Sequence, residues 1–422
     1  MRFIDKTKEL WNLEKGNAKR NLLKLILAVP FWLIVIALFL MAFGISRAVY
    51  LTDTRPDQQV AEAWQSNSDT SFRHMAVFAG GIRAQGDTSP MTYQEGGKSI
   101  HLADITLMRQ ALQSTADTGS AAGNKNIQYT EGKQLRGWED CYSSTVMSTV
   151  EALDVVDGLE VKTGKSDAQL VAVGGNYKAF HPFRYLSGGF LPETPVDTNQ
   201  IVLNDVLAWK FYHSYDIVGN RVMINEQMFT IIGVVEERTT KVAELAGEQE
   251  PRAFIYFGAL GSIYSTTDNT SDDGEGTFSA PADFAIQCYE ALLPELVKGV
   301  GVTDFKNALP NYSLSNPQLY VSNNTGRFGV TRVFDTVFPL GETDKERLGY
   351  EFPYWERAAQ LTEDRLFYDY TITGLGIILL LIGFSMIGLK FRAKMAVKPG
   401  ELEVPDAEDA ADKEEKELML KE

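Results

Sequence analysis

IVLNDVLAWKFYHSYDIVGNRVMINEQMFTIIGVV, residues 201–235, holds a strand, a helix and a hairpin in immediate succession. Ile201, Val202 and Leu203 form a short apolar run of strand type, and Asp205 stands at a capping position ahead of a helix through Phe211. Gly219 turns the chain into a second strand over 221–224. Asn225 and Glu226 then separate it from a third, Phe229 to Val235, by the two residues that a tight hairpin needs. Strands and a helix mixed at this spacing predict an α+β domain.

Outward from this unit the same alternation continues. Phe72 to Phe78 reads as a strand stopped by Gly80 and Gly81, and 99–113 reads as a helix. Ile100, Ala103, Leu107, Ala111 and Leu112 recur there at three-to-four spacing. Residues 114–133 are polar and small, hence a loop. Strands are expected at 147–152, 170–173, 254–257 and 284–293, the last turning at Pro294, with a surface loop at 265–276. Phe305 to Leu309 is short and helical. From 354 to 370, Trp355, Ala358, Ala359, Leu361 and Leu366 make a helical stripe.

Two uncharged apolar runs bracket this domain, at 25–43 and 371–389. Each is about 28 Å long as a helix, close to the ~30 Å hydrocarbon core of a bilayer. Lys15, Lys19, Arg20 and Lys24 precede the first. Lys390, Arg392, Lys394 and Lys398 follow the second, whose other flank carries Asp364 and Asp369. Basic flanks stay inside, so both termini are expected in the cytoplasm and the middle outside the cell membrane. Ala42 and Gly44 would also suit signal cleavage, but the apolar core is longer than the usual ~7 to 15 residues. The expected order is a basic segment 1–24, a span 25–43, an extracytoplasmic domain 44–370 of one or two lobes, a span 371–389 and an acidic tail 390–422. A helical stalk at 354–370 runs straight into the second span. The chain is 44% hydrophobic and 11% aromatic, ample for folded cores. Its net charge of −16 is partly local, since 401–422 holds ten acids against three lysines. No basic stripe in the outer segment suits a nucleic-acid backbone.

Read with the stretch VGGNYKAFHPFRYLSGGFLPE at 173–193, the opening segment resembles the periplasmic core domain of MacB-like ABC transporter permeases. Motifs match in order: a small-residue turn over 186–190, V-L-x-x-x-L-A from Val202 to Ala208, D-x-V-G from Asp216 to Gly219, and I-N-x-x-x-F-x-I-x-G-V from Ile224 to Val234. LLPELVKGV at 292–300 and PYWERAAQLTEDRL at 353–366 are similar to extracytoplasmic permease-like proteins of Gram-positive anaerobes. The resemblance implies a MacB-core fold between two spans and a permease-like subunit working on the cell envelope, by export or by mechanotransmission. A separate ABC ATPase, a full-length permease and membrane lipid are the implied partners. A full permease of this type has three helices after its core domain, whereas one apolar run follows here. The alternative is a binding or sensing protein built on the same outer fold.

Chemistry is not legible. Gly97-Lys98-Ser99 and Gly164-Lys165-Ser166 end like phosphate-binding loops, but Thr92 and Leu159 replace the leading glycine. His74, His101, His181 and His213 lack zinc-type spacing and are read as surface or packing residues. Neither a GxSxG elbow nor Ser-x-x-Lys occurs, and the adjacent acids Glu139-Asp140 and Asp272-Asp273 are read as solvated. No catalytic, metal-binding or cofactor-binding residue is assigned, and no enzyme activity is expected. Cys141 and Cys288 are either paired or buried as free thiols. Sequons at Asn269, Asn311 and Asn323 occur at the frequency chance allows.

Overall fold

The computed structural model describes residues 24, 28–65, 71–79, 99–121, 137–156, 159–264, 284–295, 297–310, 319–341, 347 and 350–396. Its contacts divide the chain into two compact units, Met1–Arg47 with Asp369–Glu422, and Ala48–Tyr368. The expected loop at 265–276, the residues before Lys24, the tail beyond 396, Gly97-Lys98 and Asn269 and Asn311 lie outside the described residues.

The first unit holds residues 29–47 of α1 (Val29–Asp53) and residues 369–396 of a long helix, Tyr354–Ala396. Both contain segments long and apolar enough to cross a membrane. Their sequence numbers run in opposite directions along the contact. A methyl on Gly376 would stand 2.7 Å from Met41 Cγ and 2.9 Å from the Ala37 carbonyl oxygen, and one on Gly383 would stand 2.8 Å from Ile34 Cγ1. One on Gly44 would strike Thr373. Glycine at these three points lets the backbones approach, which is how helices associate where lipid removes the hydrophobic drive. Arg47 Nε lies 3.1 Å from the buried carboxylate of Asp369 at one end of this pair.

The second unit contains one continuous sheet. In chain order come α2 (Val60–Gln65), β1 (Phe72–Ala79), α3 (Leu102–Ala121), β2 (Glu139–Val156), β3 (Leu159–Gly175), α4 (Tyr177–Phe180), β4 (Arg184–Gly188) and β5 (Gln200–Asn204). Then follow α5 (Asp205–Tyr212), β6 (Arg221–Ile224), β7 (Gln227–Glu236), α6 (Lys241–Ala246), β8 (Arg252–Tyr256), α7 (Ala259–Tyr264), β9 (Cys288–Pro294), α8 (Val300–Ala308), β10 (Leu319–Asn323), α9 (Val330–Val337) and the long helix, α10. The strand order is β10-β1-β9-β2-β3-β8-β5-β7-β4, and β6 pairs with both β2 and β7. Pairing therefore returns on itself through β2, β3, β8, β5, β7 and β6. By its contacts Ala48–Tyr368 clusters as one compact unit.

Period-two alternation splits the apolar residues between two cores. On β1, Met75, Val77 and Ala79 face one and Ala76 and Phe78 the other; on β8, Ala253 and Ile255 oppose Phe254 and Tyr256. The first core takes α3, α5 and α8, while the second takes α2, α4 and the start of α10 through Tyr354 and Trp355.

The 201–235 unit folds as its sequence predicts, with one change at the cap. Asn204, not Asp205, caps α5, its side-chain oxygen accepting from the Leu207 N–H at 3.0 Å. Asp205 Oδ1 instead accepts from the Glu237 N–H at 3.2 Å and so ties the helix start to the end of β7. Asn225 and Glu226 adopt φ of 44° and 67°, the left-handed pair of a tight hairpin turn. Elsewhere the helix expected at 99–113 is α3, which continues through Ala121 into the predicted loop. The strand candidates at 147–152 and 170–173 are parts of much longer β2 and β3, and the helix expected from Phe305 begins at Val300. Gly188 sits at φ 64° beside β7, where a methyl would collide with the Ile232 carbonyl oxygen.

Two substitutions should move stability in opposite directions. Glu226→Gly removes the cost of holding a side chain at positive φ and should stabilise the protein by about 1 kcal/mol. Gly188→Ala should destabilise by about 1–3 kcal/mol. Thermal unfolding in detergent, followed by circular dichroism, checks both.

Candidate functional site

The start of α10 carries Trp355, Glu356, Ala358, Ala359, Thr362, Glu363 and Leu366 on a buried face. Two carboxylates seven residues apart fall on the same side of a helix. Between them lies Arg327, from the turn ahead of α9 and itself buried. Its Nη1 and Nη2 donate to Glu356 at 2.6 and 2.7 Å, and its Nε donates to Glu363 at 2.6 Å. Gln58, in the short 3₁₀ turn Pro56–Gln58, accepts from Nη1 at 3.0 Å, and Arg347 donates to the remaining Glu363 oxygen at 3.0 Å. Burial disfavours the Arg327 cation, but Glu356 and Glu363 outweigh it and hold the guanidinium well above its ordinary pKa.

Beside this seat lies a second buried set. Arg55 pairs with Glu248, Arg238 Nη2 stands 2.8 Å from Asp57, and Arg252 Nη1 donates to Glu237 at 2.5 Å. Three cations face three carboxylates. Arg252 also donates to the backbone carbonyls of Glu248 and Gly247, and its guanidinium carbon lies 3.5 Å from the centre of the Tyr354 ring. Stacking of this kind suits arginine's flat, weakly hydrated head. Burial acts to raise the Asp57 pKa, and Arg238 with Arg55 overcome it, so the carboxyl titrates below its ordinary value. Burial also raises Glu237, with Arg252 only partly compensating.

The third polar group lies under α4. Glu290 on β9 accepts from His74 Nε2 at 3.1 Å and lies 2.7 Å from His181 Nε2, while Cys141 Sγ is 3.7 Å from it. His181 stacks on Tyr177 at 4.2 Å and lies 4.6 Å from Trp355. Burial works against ionising Glu290, and His181 followed by His74 reverses this, leaving its pKa lowered. Cys141 and Cys288 are free and buried, and burial pushes both thiols up.

Sequence reasoning placed His74 and His181 among surface or packing residues without seeing that they share a carboxylate. It passed over Arg327, Glu356 and Glu363 altogether. The helical stripe at 354–370 contained the usable signal: Glu356 and Glu363 fall on the same side as Trp355, Ala359 and Leu366, where a surface helix would carry apolar residues. Gly164-Lys165-Ser166 lies within β3 and forms no phosphate loop. Asp140, read as solvated, is buried and takes two bonds from Arg109, at 2.6 and 2.9 Å.

Residues 99–278, from the edge of α3 through the ring of strands, match the family model of the MacB-like periplasmic core domain. Over that stretch the chain is similar to a MacB-like periplasmic core domain. Its outer unit is accordingly an α+β fold of MacB-core type, flanked by two apolar helices as in a membrane protein with an extracytoplasmic domain. Among solved structures it is similar to the periplasmic region of MacB from Actinobacillus actinomycetemcomitans, at 15% identity over 60% of this chain and 88% of that one, TM-score 0.34. It is also similar to the extracellular domain of the noncanonic ABC-type transporter YknZ from Gram-positive bacteria, at 12% identity over 59% and 100%, TM-score 0.35. A domain of a putative permease from Porphyromonas gingivalis matches at 10% identity over 60% and 87%, TM-score 0.26. With all three scores this low, the assignment rests on the family match. No curated protein matches the chain.

Replacing Arg327 with Met leaves two buried carboxylates facing each other and should cost about 3–5 kcal/mol, whereas Glu356→Gln with Glu363→Gln and Arg327→Met together should recover most of it. Denaturant unfolding of the wild type and the two variants measures this. A carboxylate with a lowered folded-state pKa contributes stability above its unfolded value that is lost as pH falls through the folded one. Asp57 should thus contribute at neutral pH and lose its contribution below about pH 3.8; Asp57→Asn should be less stable at neutral pH and show a shallower acid limb in pH-dependent unfolding.

Proposed function

We propose that the chain is a membrane-anchored, permease-like subunit of an ABC transporter system acting on the cell envelope, in which α10 passes mechanical force between the membrane and the outer domain. The carrying observation is one uninterrupted helix, Tyr354–Ala396, that begins in a buried ionic seat and continues through an apolar span. A helix held by Arg327, Arg347 and the Arg252–Tyr354 stack cannot slide or rotate at that end without exposing or unpairing buried charge. A helix so fixed at its outer end is suited to pushing and twisting rather than to passive anchoring.

In this reading the residues before Val29 and after Ala396 are cytoplasmic, in keeping with their basic flanks, and the core domain is extracytoplasmic. A separate ABC ATPase supplies the energy, since neither Gly-Lys-Ser sequence has the leading glycine of a nucleotide loop. A full-length permease and lipid are the other partners. The protein itself is not an enzyme. The output is export of a substrate or the mechanical control of an envelope activity.

Purification of the full chain from native membranes, after crosslinking in intact cells through both apolar helices and the tail, tests this. An ABC ATPase and a permease with several further spans are expected in the crosslinked product. Recovery of the chain with neither, alongside efficient crosslinking to a signalling protein, would replace this reading with that of a sensor on the same fold.

A further inference from the structure

Three neighbouring strands and one helix end converge on a single carboxylate. On β9, Glu290 stands directly across from Cys141 of β2, and on its other side across from Ala76 of β1, with His74 two residues along on the same face. Alternation therefore places Cys141, Glu290 and His74 together on the sheet face that belongs to the second core. His181 reaches the same point from the end of α4. One ligand atom each from Cys141, His181 and Glu290 lies within 4.8 Å of the others, and all three residues are buried. His74 Nε2 stands 3.1 Å from the carboxylate's other oxygen.

We propose that Cys141, His181 and Glu290 bind a zinc ion, Glu290 through Oε2, with His74 holding the other carboxylate oxygen from outside the coordination shell. Sulfur, imidazole nitrogen and carboxylate oxygen together are the donor set that zinc takes. The size fits. Bonds of about 2.0–2.1 Å to nitrogen and oxygen and about 2.3 Å to sulfur, at tetrahedral angles, separate N from O by about 3.3 Å and S from O by about 3.6 Å. Cys141 Sγ already stands 3.7 Å from Glu290 Oε2, and His181 Nε2 stands 2.7 Å from it, so an ion needs only to spread the second pair by about half an ångström.

Charge supports the same assignment. A thiolate, a carboxylate, a neutral imidazole and a divalent cation sum to zero, the balance a dry interior tolerates best. His74 then plays the part of the outer hydrogen-bond donor that fixes a ligating carboxylate. The ion would join β2, β9 and α4 at the floor on which Trp355 of α10 rests, since that indole lies 4.6 Å from His181. Its rival is a metal-free core in which both imidazoles hydrogen-bond Glu290 and Cys141 stays a thiol. The zinc site stands independently of any transport partner.

Full-length protein purified in detergent without added chelator should contain about one zinc per chain, and cobalt exchanged into it should give the intense d–d absorption of a tetrahedral ion with a thiolate-to-cobalt charge-transfer band. Cys141→Ser should abolish the charge-transfer band and weaken zinc binding by about tenfold or more, while Cys288→Ser keeps both, because that thiol is not a ligand. The wild-type measurements decide the matter even where a variant fails to fold. Wild-type protein that carries no zinc, takes up neither zinc nor cobalt, and unfolds at the same temperature with or without chelator would overturn the proposal, as would a charge-transfer band that survives in Cys141→Ser.

Discussion

Everything about the outer unit's hold on its exit helix turns on Arg327. A guanidinium with both faces of its fork committed to Glu356 and Glu363 is buried with its charge fully compensated, and the two carboxylates are as dependent on it as it is on them. Such a cluster is a weak source of net stability, because taking ions out of water is costly. Its value lies in specificity: any other rotation of α10 leaves at least one ion unpaired. Arg347 balances the second negative charge, and Gln58 links the seat to the turn that follows α1.

The sheet supplies the frame in which this seat can be buried. Closure of the pairing through β6 leaves the ring strands of the unit with partners on both sides, and the two cores on opposite faces divide the labour. One is closed by α3, α5 and α8 and, among the described residues, includes none from α10. The other gathers Tyr177, Phe183, Phe190 and Phe254 into stacked and edge-on rings and meets α10 at Trp355, with Tyr177 and Trp355 5.9 Å apart. The three-by-three set of Arg55, Arg238 and Arg252 with Asp57, Glu237 and Glu248 borders that aromatic core, so the region around Tyr354 is both tightly packed and charge-neutral.

The residues that carry the family resemblance are architectural. Val202, Leu203, Leu207, Ala208, Ile224, Phe229, Ile231 and Val234 are all buried in the two cores, and Gly219 turns at φ 95°. They fold the domain and say nothing of what it handles. The ionic seat takes Glu356 and Glu363 from the 353–366 stretch and the polar group under α4 takes His181 from 173–193, whereas Arg327, His74, Cys141 and Glu290 lie outside the quoted segments. The whole seat of Gln58, Arg327, Arg347, Glu356 and Glu363 falls beyond the 99–278 match, and so do His74 and Glu290 of the other group.

Local chemistry made much of the fold legible. The hairpin at 225–226, the short strand and helix around Asn204 and the long apolar stripe from Trp355 onward all follow from contacts within a few residues, which periodicity and turn chemistry report directly. The lengths of β2 and β3 did not follow, because polar and small residues such as Ser143, Ser144 and Ser166 become strand only through the ladders on either side. Nor did the cysteines' free state or the joining of His74, His181 and Glu290, since these residues meet only when strands distant in sequence pair in one register. By itself the sequence determined an α+β domain with two apolar helices and a helix entering the second of them. Only the tertiary structure decided which charges that helix buries and which side chains share a carboxylate, because burial and long-range register are properties of the closed sheet and not of any single segment.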